Sequence, residues 1–204
     1  MIIWIAGPAA SGKSTVTKLI SNKMKQAYNK QYKCKDFAYT NKQNFKIPFK
    51  TYGKTIVIGR NCQILNGLDS VFVGQHRFQD FLRDVYKMWD FFTPTILVEG
   101  NKFVRGKSIH EFLIKEQMSY KMFYLEVPKK ILDKRSKERG NGYDREMRTD
   151  SLVEREIKAY NKIVTNLDYK EYIEVRKSET KKQCEKIANE IFEVIQNENS
   201  FSPK

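Results

Sequence analysis

Residues Gly7-Pro8-Ala9-Ala10-Ser11-Gly12-Lys13-Ser14 set two glycines around a four-residue stretch and follow them with a lysine and a hydroxyl. This is G-x-x-x-x-G-K-[ST], the spacing at which a tight backbone turn points successive N–H groups at a chain of phosphates. The glycines take dihedrals that a side chain forbids. Lys13 is then placed for the β- and γ-phosphate oxygens and the Ser14 hydroxyl for Mg²⁺. A helix starting near Lys13 turns the positive end of its dipole toward the anion. Gly7, Ala9, Ala10, Ser11, Gly12, Lys13, Ser14 and Thr15 are therefore the candidate nucleotide-binding residues, with ATP as the implied nucleotide and Mg²⁺ as the implied cofactor.

A phosphate cradle of this kind needs a carboxylate at the end of a neighbouring strand to hold Mg²⁺, directly or through water. Thr95-Ile96-Leu97-Val98-Glu99-Gly100 provides one: an apolar run, an acid where the strand emerges and a glycine for the turn. Burying that acid without a cation would be costly, so Glu99 is assigned with Ser14 to the metal. Farther along, Arg135, Arg139, Arg145 and Arg148 flank Gly140-Asn141-Gly142. Arginines on a helix and a flexible loop opposite the cradle could close over a transferring phosphoryl group and neutralise its oxygens. Arg135 and Arg139 share a helix face and are the catalytic candidates; Arg145 and Arg148 are candidates for contact with the substrate. His76 and His110 belong to no constellation and read as packing or surface residues.

The elements that must position these groups alternate. Strands are predicted at Ile2–Ala6, Lys35–Tyr39, Thr95–Glu99, Met122–Val127 and Tyr172–Val175, and a hairpin within Asn44–Gly59 beside the core, around Tyr52-Gly53-Lys54. Helices are predicted at Lys13–Tyr28, Phe78–Phe91, Ser108–Gln117, Lys129–Arg139, Ser151–Asn166 and Thr180–Gln196. Strands separated by helices of this length imply an α/β fold, a parallel sheet with helices on both faces. The 204 residues suffice for one domain. We place it at residues 1–196, with an inserted acceptor-site segment at about 40–76, an Arg-rich lid at about 135–150, its loop from 139, and a flexible tail at 197–204.

The net charge is +14, and its distribution is uneven. Residues 1–68 hold twelve lysines and arginines and one acid, Asp36, and no glutamate precedes Glu99. Tyr28, Tyr32, Phe37, Tyr39, Phe45, Phe49 and Tyr52 alternate with these bases. Cations with stacking platforms suit single-stranded or unstacked nucleic acid, so DNA is an expected partner; a solvated lysine face over core aromatics is the other reading. Cys34, Cys62 and Cys184 show neither disulfide nor zinc spacing, which fits a reducing cytoplasm. No window approaches 18 apolar residues, so no membrane span is expected. The oligomeric state and the base of the nucleotide donor are not legible, since the loop contacts phosphates alone.

The loop at 7–14, the acid ending Thr95–Glu99 and the strand-Pro128-helix-Arg135-x-x-x-Arg139-Gly140 pattern together resemble the nucleoside and nucleotide kinase branch of phosphate-loop proteins. That resemblance covers nearly the whole chain and implies the three-layer phosphate-loop NTPase fold and phosphoryl transfer. A narrower one rests on Val57-Ile58-Gly59-Arg60, Asn66-Gly67-Leu68-Asp69-Ser70 and Leu97-Val98-Glu99-Gly100, and is similar to the 5-hydroxymethyluracil DNA kinases of bacteriophages. It implies a hydroxymethylated base in DNA as the phosphoryl acceptor, the cytoplasm of a phage host as the location, and Arg60 as a substrate contact. Asp69, at the Gly-x-Asp position, is then the favoured group to orient and deprotonate the acceptor hydroxyl; Asp36, in the second strand, is the competitor. The alternatives are a nucleoside or nucleoside monophosphate kinase, a polynucleotide 5′-hydroxyl kinase and a non-catalytic ATP-gated DNA-binding protein.

Overall fold

The computed structural model describes residues 1–28, 36–40, 46–58, 74–88, 94–138 and 150–200. In chain order the elements are β1 (Ile2–Ala6), α1 (Lys13–Tyr28), β2 (Asp36–Thr40), β3 (Lys46–Tyr52), β4 (Thr55–Ile58), α2 (Gln75–Met88) and β5 (Thr95–Glu99). They continue with α3 (Lys107–Lys115), β6 (Tyr120–Glu126), α4 (Lys129–Glu138), α5 (Asp150–Val164), β7 (Ile173–Lys177) and α6 (Lys181–Ser200).

The strands form one seven-stranded sheet in the order β2-β3-β4-β5-β1-β6-β7. From β4 to β7 every pairing is parallel. At the other edge β2 pairs antiparallel with β3, and β3 with β4. The expected second strand is present, shifted by one residue, but as an antiparallel edge strand and not as part of the parallel core. The hairpin around Tyr52-Gly53-Lys54 also forms, and it extends the sheet where we had placed it beside the core. Tyr52 pairs with Thr55 across a two-residue turn whose first residue, Gly53, has φ of 57°, the conformation such a turn asks of a glycine. The apolar residues of β4 draw the hairpin inward: Val57 pairs with Leu97 of β5, and Ile56 and Ile58 are buried.

Side chains alternate across the central strands, and each face is covered by helices, which is why β1 and β5 are apolar along their length. On one face Ile2, Trp4, Ile56, Ile96, Val98, Met122 and Tyr124 pack with Phe78, Phe81 and Leu82 of α2, Ile109 and Leu113 of α3, and Tyr160 of α5. On the other, Ile3, Ile5, Val57, Leu97, Phe123 and Leu125 pack with Val16, Ile20 and Met24 of α1 and Ile187, Ile191 and Ile195 of α6. A smaller cluster of Ala10, Val127, Leu132 and Val153 ties the loop after β1 to α4 and α5. This is a three-layer α/β architecture, with the loop after β1 at the carboxyl end of that strand.

Helix α6 runs through Ser200, so residues 197–200 belong to it and not to the expected tail. The physical reason is Asn199, whose amide donates to the hydroxyls of Tyr28 (3.3 Å) and Thr55 (3.2 Å). Among the described residues no helix is long and apolar enough to cross a membrane.

Candidate phosphate-binding and acceptor site

The parallel register builds the site. Ile5 of β1 stands opposite Glu99 of β5, and the Gly100 N–H donates to Ile5 O at 3.2 Å. The chain leaving β1 therefore turns over the end of β5. That turn has φ of 149° at Gly7, 66° at Ala10 and 99° at Gly12. A Cβ on Gly7 would lie 2.7 Å from Ser11 Oγ and 2.8 Å from Leu125 O, so the loop closes on itself only because residue 7 has no side chain.

The loop's carbonyl oxygens are engaged from outside. Lys13 Nζ donates to Gly7 O (2.8 Å) and Pro8 O (3.0 Å). Arg135 Nη1 donates to Ala10 O (3.2 Å), and Ser178 Oγ to Ser11 O (2.8 Å). Gly12 O accepts the first helical bond of α1, from Val16 N. The first N–H groups of α1, from Lys13 onward, have no intrahelical acceptor. With these carbonyls engaged by donors and N–H groups gathered at a helix start, the local field favours an anion. Lys13 is buried, with its ammonium at the end of the loop nearest residues 7–9.

Ser14 Oγ donates to Glu99 Oε1 at 2.8 Å, and Glu99 is itself buried at 4% exposure. The two metal candidates are thus brought together from residues 85 apart. A hydroxyl and a carboxylate are hard oxygen donors, and Mg²⁺ prefers to complete its shell with water and phosphate oxygens. Among the described residues no group of three or more His, Cys, Asp or Glu could hold a metal ion. Glu99 is steadied from below by its neighbour: Trp4 Nε1 donates to Gly100 O at 3.0 Å.

Arg135 reaches the site differently from our expectation. Its Nη2 donates to Ser178 O (2.9 Å) and Glu179 O (2.7 Å), while Nη1 holds Ala10 O. Both terminal nitrogens are committed to carbonyls, so in this arrangement the guanidinium ties the phosphate loop to the β7–α6 connection. Ser178 completes that tie, and its hydroxyl also lies 3.2 Å from Cys184 Sγ. A Cβ on Gly12 would sit 3.0 Å from Ser178 Oγ and 3.2 Å from Cys184 Sγ.

Two site residues escaped the sequence reading. Glu156 of α5 accepts from the Ala9 N–H through Oε2 (3.1 Å) and from Arg105 Nη1 through Oε1 (3.1 Å). Both line a cleft of about 780 Å³ beside the loop, with Gln75, Phe103, Val153 and Arg155. Arg105 follows Glu99 by six residues, and that proximity to a strand end was the one available signal; Glu156 carries none, sitting among other charges of a helix.

Of the remaining candidates, Thr15 is exposed on the first turn of α1, and Asp36 opens β2 with its backbone opposite Lys50. Arg60, Asp69, Arg139, Arg145 and Arg148 lie outside the described residues. The aromatic and basic first third is in part core: Tyr52 and Lys50 are buried, Phe49 packs beneath α2 and Tyr28 against the α1–α6 face. Lys50 and Tyr52 are thus committed to the core, with Phe49 and Tyr28 half-buried against it. His110 is buried and packed, as expected: its ring stacks on Tyr169.

No protein-family model matches the chain, and no curated protein sequence matches it. Among solved structures it aligns with a gluconokinase from Sinorhizobium meliloti 1021 at 10% identity, over 96% of this chain and 95% of that one, with a TM-score of 0.46. It also aligns with deoxyadenosine kinase from M. mycoides (16% identity, 94% and 98% covered, TM-score 0.45). A third is shikimate kinase from Aquifex aeolicus vf5 (15% identity, 100% of both chains, TM-score 0.44).

Proposed function

We propose that this chain is an ATP-dependent phosphotransferase that moves the γ-phosphoryl group to a hydroxyl of a nucleotide or nucleic acid. The observation that carries the reading is the Ser14–Glu99 contact, a hydroxyl and a buried carboxylate joined at 2.8 Å within the same cradle as Lys13.

The loop backbone from Pro8 to Ser14 would hold the triphosphate. On its arrival Lys13 would exchange loop carbonyls for phosphate oxygens, and the outward carbonyls would stay with Arg135 and Ser178. Ser14 and Glu99 would hold Mg²⁺, which supplies charge neutralisation on the phosphate oxygens when bound. Arg139 is proposed to act on the charge that develops in the transition state, with Arg145 and Arg148 on the substrate; Arg135 acts through the loop. Catalysis of this kind is positioning and electrostatics more than covalent chemistry.

For the acceptor, the motif resemblance around Gly59-Arg60, Asp69 and Glu99-Gly100 supports 5-hydroxymethyluracil in DNA, with Asp69 or Asp36 facing its hydroxyl. A second reading, a nucleoside or nucleoside monophosphate kinase, is favoured by the burial of Lys50 and Tyr52 and the partial burial of Phe49, which draws basic and aromatic groups of the first third into the core. The test is transfer of label from γ-labelled ATP with Mg²⁺ to four acceptors in parallel. These are duplex DNA containing 5-hydroxymethyluracil, an oligonucleotide with a 5′-hydroxyl end, free deoxynucleosides and deoxynucleoside monophosphates. Label on internal bases of the modified duplex supports the first reading and label on free nucleosides or monophosphates the second; no transfer to any of them, with ATP bound, overturns the phosphotransferase assignment.

A further inference from the structure

Glu156 is the one carboxylate among the described residues that line the cleft beside the phosphate loop. It touches the loop itself, through the Ala9 N–H at 3.1 Å. Which part of the loop this is can be read from Lys13, whose ammonium rests on the carbonyls of Gly7 and Pro8. In this motif that lysine serves the β- and γ-phosphate oxygens, so residues 7–9 border the outer end of the triphosphate. The carboxylate of Glu156 thus both touches the part of the loop that would border the γ-phosphoryl group and lines the cleft.

A bound triphosphate changes what Glu156 can do there. Phosphate oxygens compete for the Ala9 N–H, and like charge pushes the carboxylate away. Arg105 holds the other oxygen at 3.1 Å and is anchored in the turn that follows β5, so the carboxylate is retained at the cleft with Oε2 released. That oxygen would then face a hydroxyl that enters through the cleft.

The geometry points to Glu156 as the acceptor-side catalytic residue, which orients the acceptor hydroxyl and takes its proton, with Arg105 as its positioning residue. This rests on the phosphotransferase reading and moves the role from Asp69 or Asp36 to α5. In the step, the hydroxyl oxygen forms a bond to the γ-phosphorus of ATP. The bond from that phosphorus to the β–γ bridging oxygen breaks, its electron pair leaving with ADP, and the hydroxyl proton passes to the Glu156 carboxylate.

The experiment is steady-state transfer from γ-labelled ATP with Mg²⁺, on whichever of the four acceptors above the wild type phosphorylates best. The variants are Glu156→Gln, Asp69→Asn, Arg105→Gln and Arg105→Lys, and binding of a fluorescent ATP analogue and thermal melting are followed for each. Glu156→Gln, whose amide can still meet Ala9, is expected to lower kcat by about 100-fold with KM for ATP unchanged or lower. Arg105→Gln is expected to lower kcat roughly tenfold without changing ATP binding, and Arg105→Lys to restore most of it. Arg105 is exposed, so this pair reads the same relationship should Glu156→Gln fail to fold. Wild-type kcat in Glu156→Gln overturns the inference, even if ATP binds more tightly, as does a 100-fold loss confined to Asp69→Asn. Those outcomes leave the phosphotransferase reading standing, whereas a wild type that binds ATP and transfers to none of the acceptors removes both.

Discussion

The Ser14 hydroxyl and the Glu99 carboxylate meet at 2.8 Å because Ile5 and Glu99 are register partners in a parallel pair. The register brings Glu99 to the strand end, and the loop's turn brings Ser14 over it. Glu99→Gln keeps an oxygen for Ser14 but removes the charge, and is expected to reduce transfer by about 100-fold and to raise the Mg²⁺ concentration needed for half-maximal rate. A Mg²⁺ titration of kcat with both proteins checks this; an unchanged midpoint would remove Glu99 from the metal.

Lys13→Ala is expected to abolish transfer while the protein melts within a few degrees of wild type. In the structure the ammonium donates to loop carbonyls, and the core beneath α1 is built from other residues. Near-wild-type turnover in a folded Lys13→Ala protein would sink the mechanism.

Arg135 holds three carbonyls from two segments, so Arg135→Ala should act through the loop. The expectation is a loss of about 1–3 kcal/mol in stability, or roughly 2–10 °C in Tm, with weaker ATP binding. Arg135→Lys cannot present two terminal nitrogens in one plane and should recover little. Melting curves with and without ATP test both statements.

Gly12→Ala combines φ of 99° with a Cβ 3.0 Å from Ser178 Oγ and 3.2 Å from Cys184 Sγ. Strain alone is about 1–3 kcal/mol. The variant should lose ATP binding; the double change Gly12→Ala with Ser178→Gly, which clears the nearer obstacle, should regain some stability but little affinity. Isothermal titration with ATP and melting curves separate the two effects.

His110 makes stability depend on pH. Val104 O can only accept, so Nε2 carries the proton (3.0 Å) and Nδ1 receives the Tyr120 hydroxyl (3.3 Å). Burial desolvates the imidazolium and lowers the pKa, against smaller opposing effects of the Val104 carbonyl and Glu111. The unfolded chain, titrating near 6.5, therefore takes up the proton first as pH falls. Stability from this group is complete above about pH 6.5 and is lost below it at up to about 1.4 kcal/mol per pH unit, until the folded pKa is reached. Urea melts between pH 5 and 7 should show this slope in wild type and a flatter one in His110→Gln.

The parts of the molecule that follow from local spacing were legible in the sequence. The loop, the helix from Lys13 to Tyr28 and the strand Thr95–Glu99 have the bounds predicted for them, because glycine placement and apolar runs are local signals. The direction of β2 and the place of the hairpin were not, since an edge strand pairs by long-range packing and periodicity carries no strand direction. Arg135 was singled out as a candidate, yet its partners Ser178 and Glu179 lie 43 and 44 residues away with no motif to announce them. Glu156 was missed for the same reason: a glutamate in a mixed-charge helix looks solvated until the fold sets it against Ala9, 147 residues earlier.

The support that Ser178 gives to Ser11 O spans 167 residues. Synthesis delivers the phosphate-binding motif long before this brace, which follows only after β7. A nascent chain arrested before residue 178 would carry every signature residue of the loop and still lack the scaffold that keeps its carbonyls turned away. Nucleotide binding should therefore arise only after Ser178 has been synthesised, well after the motif itself.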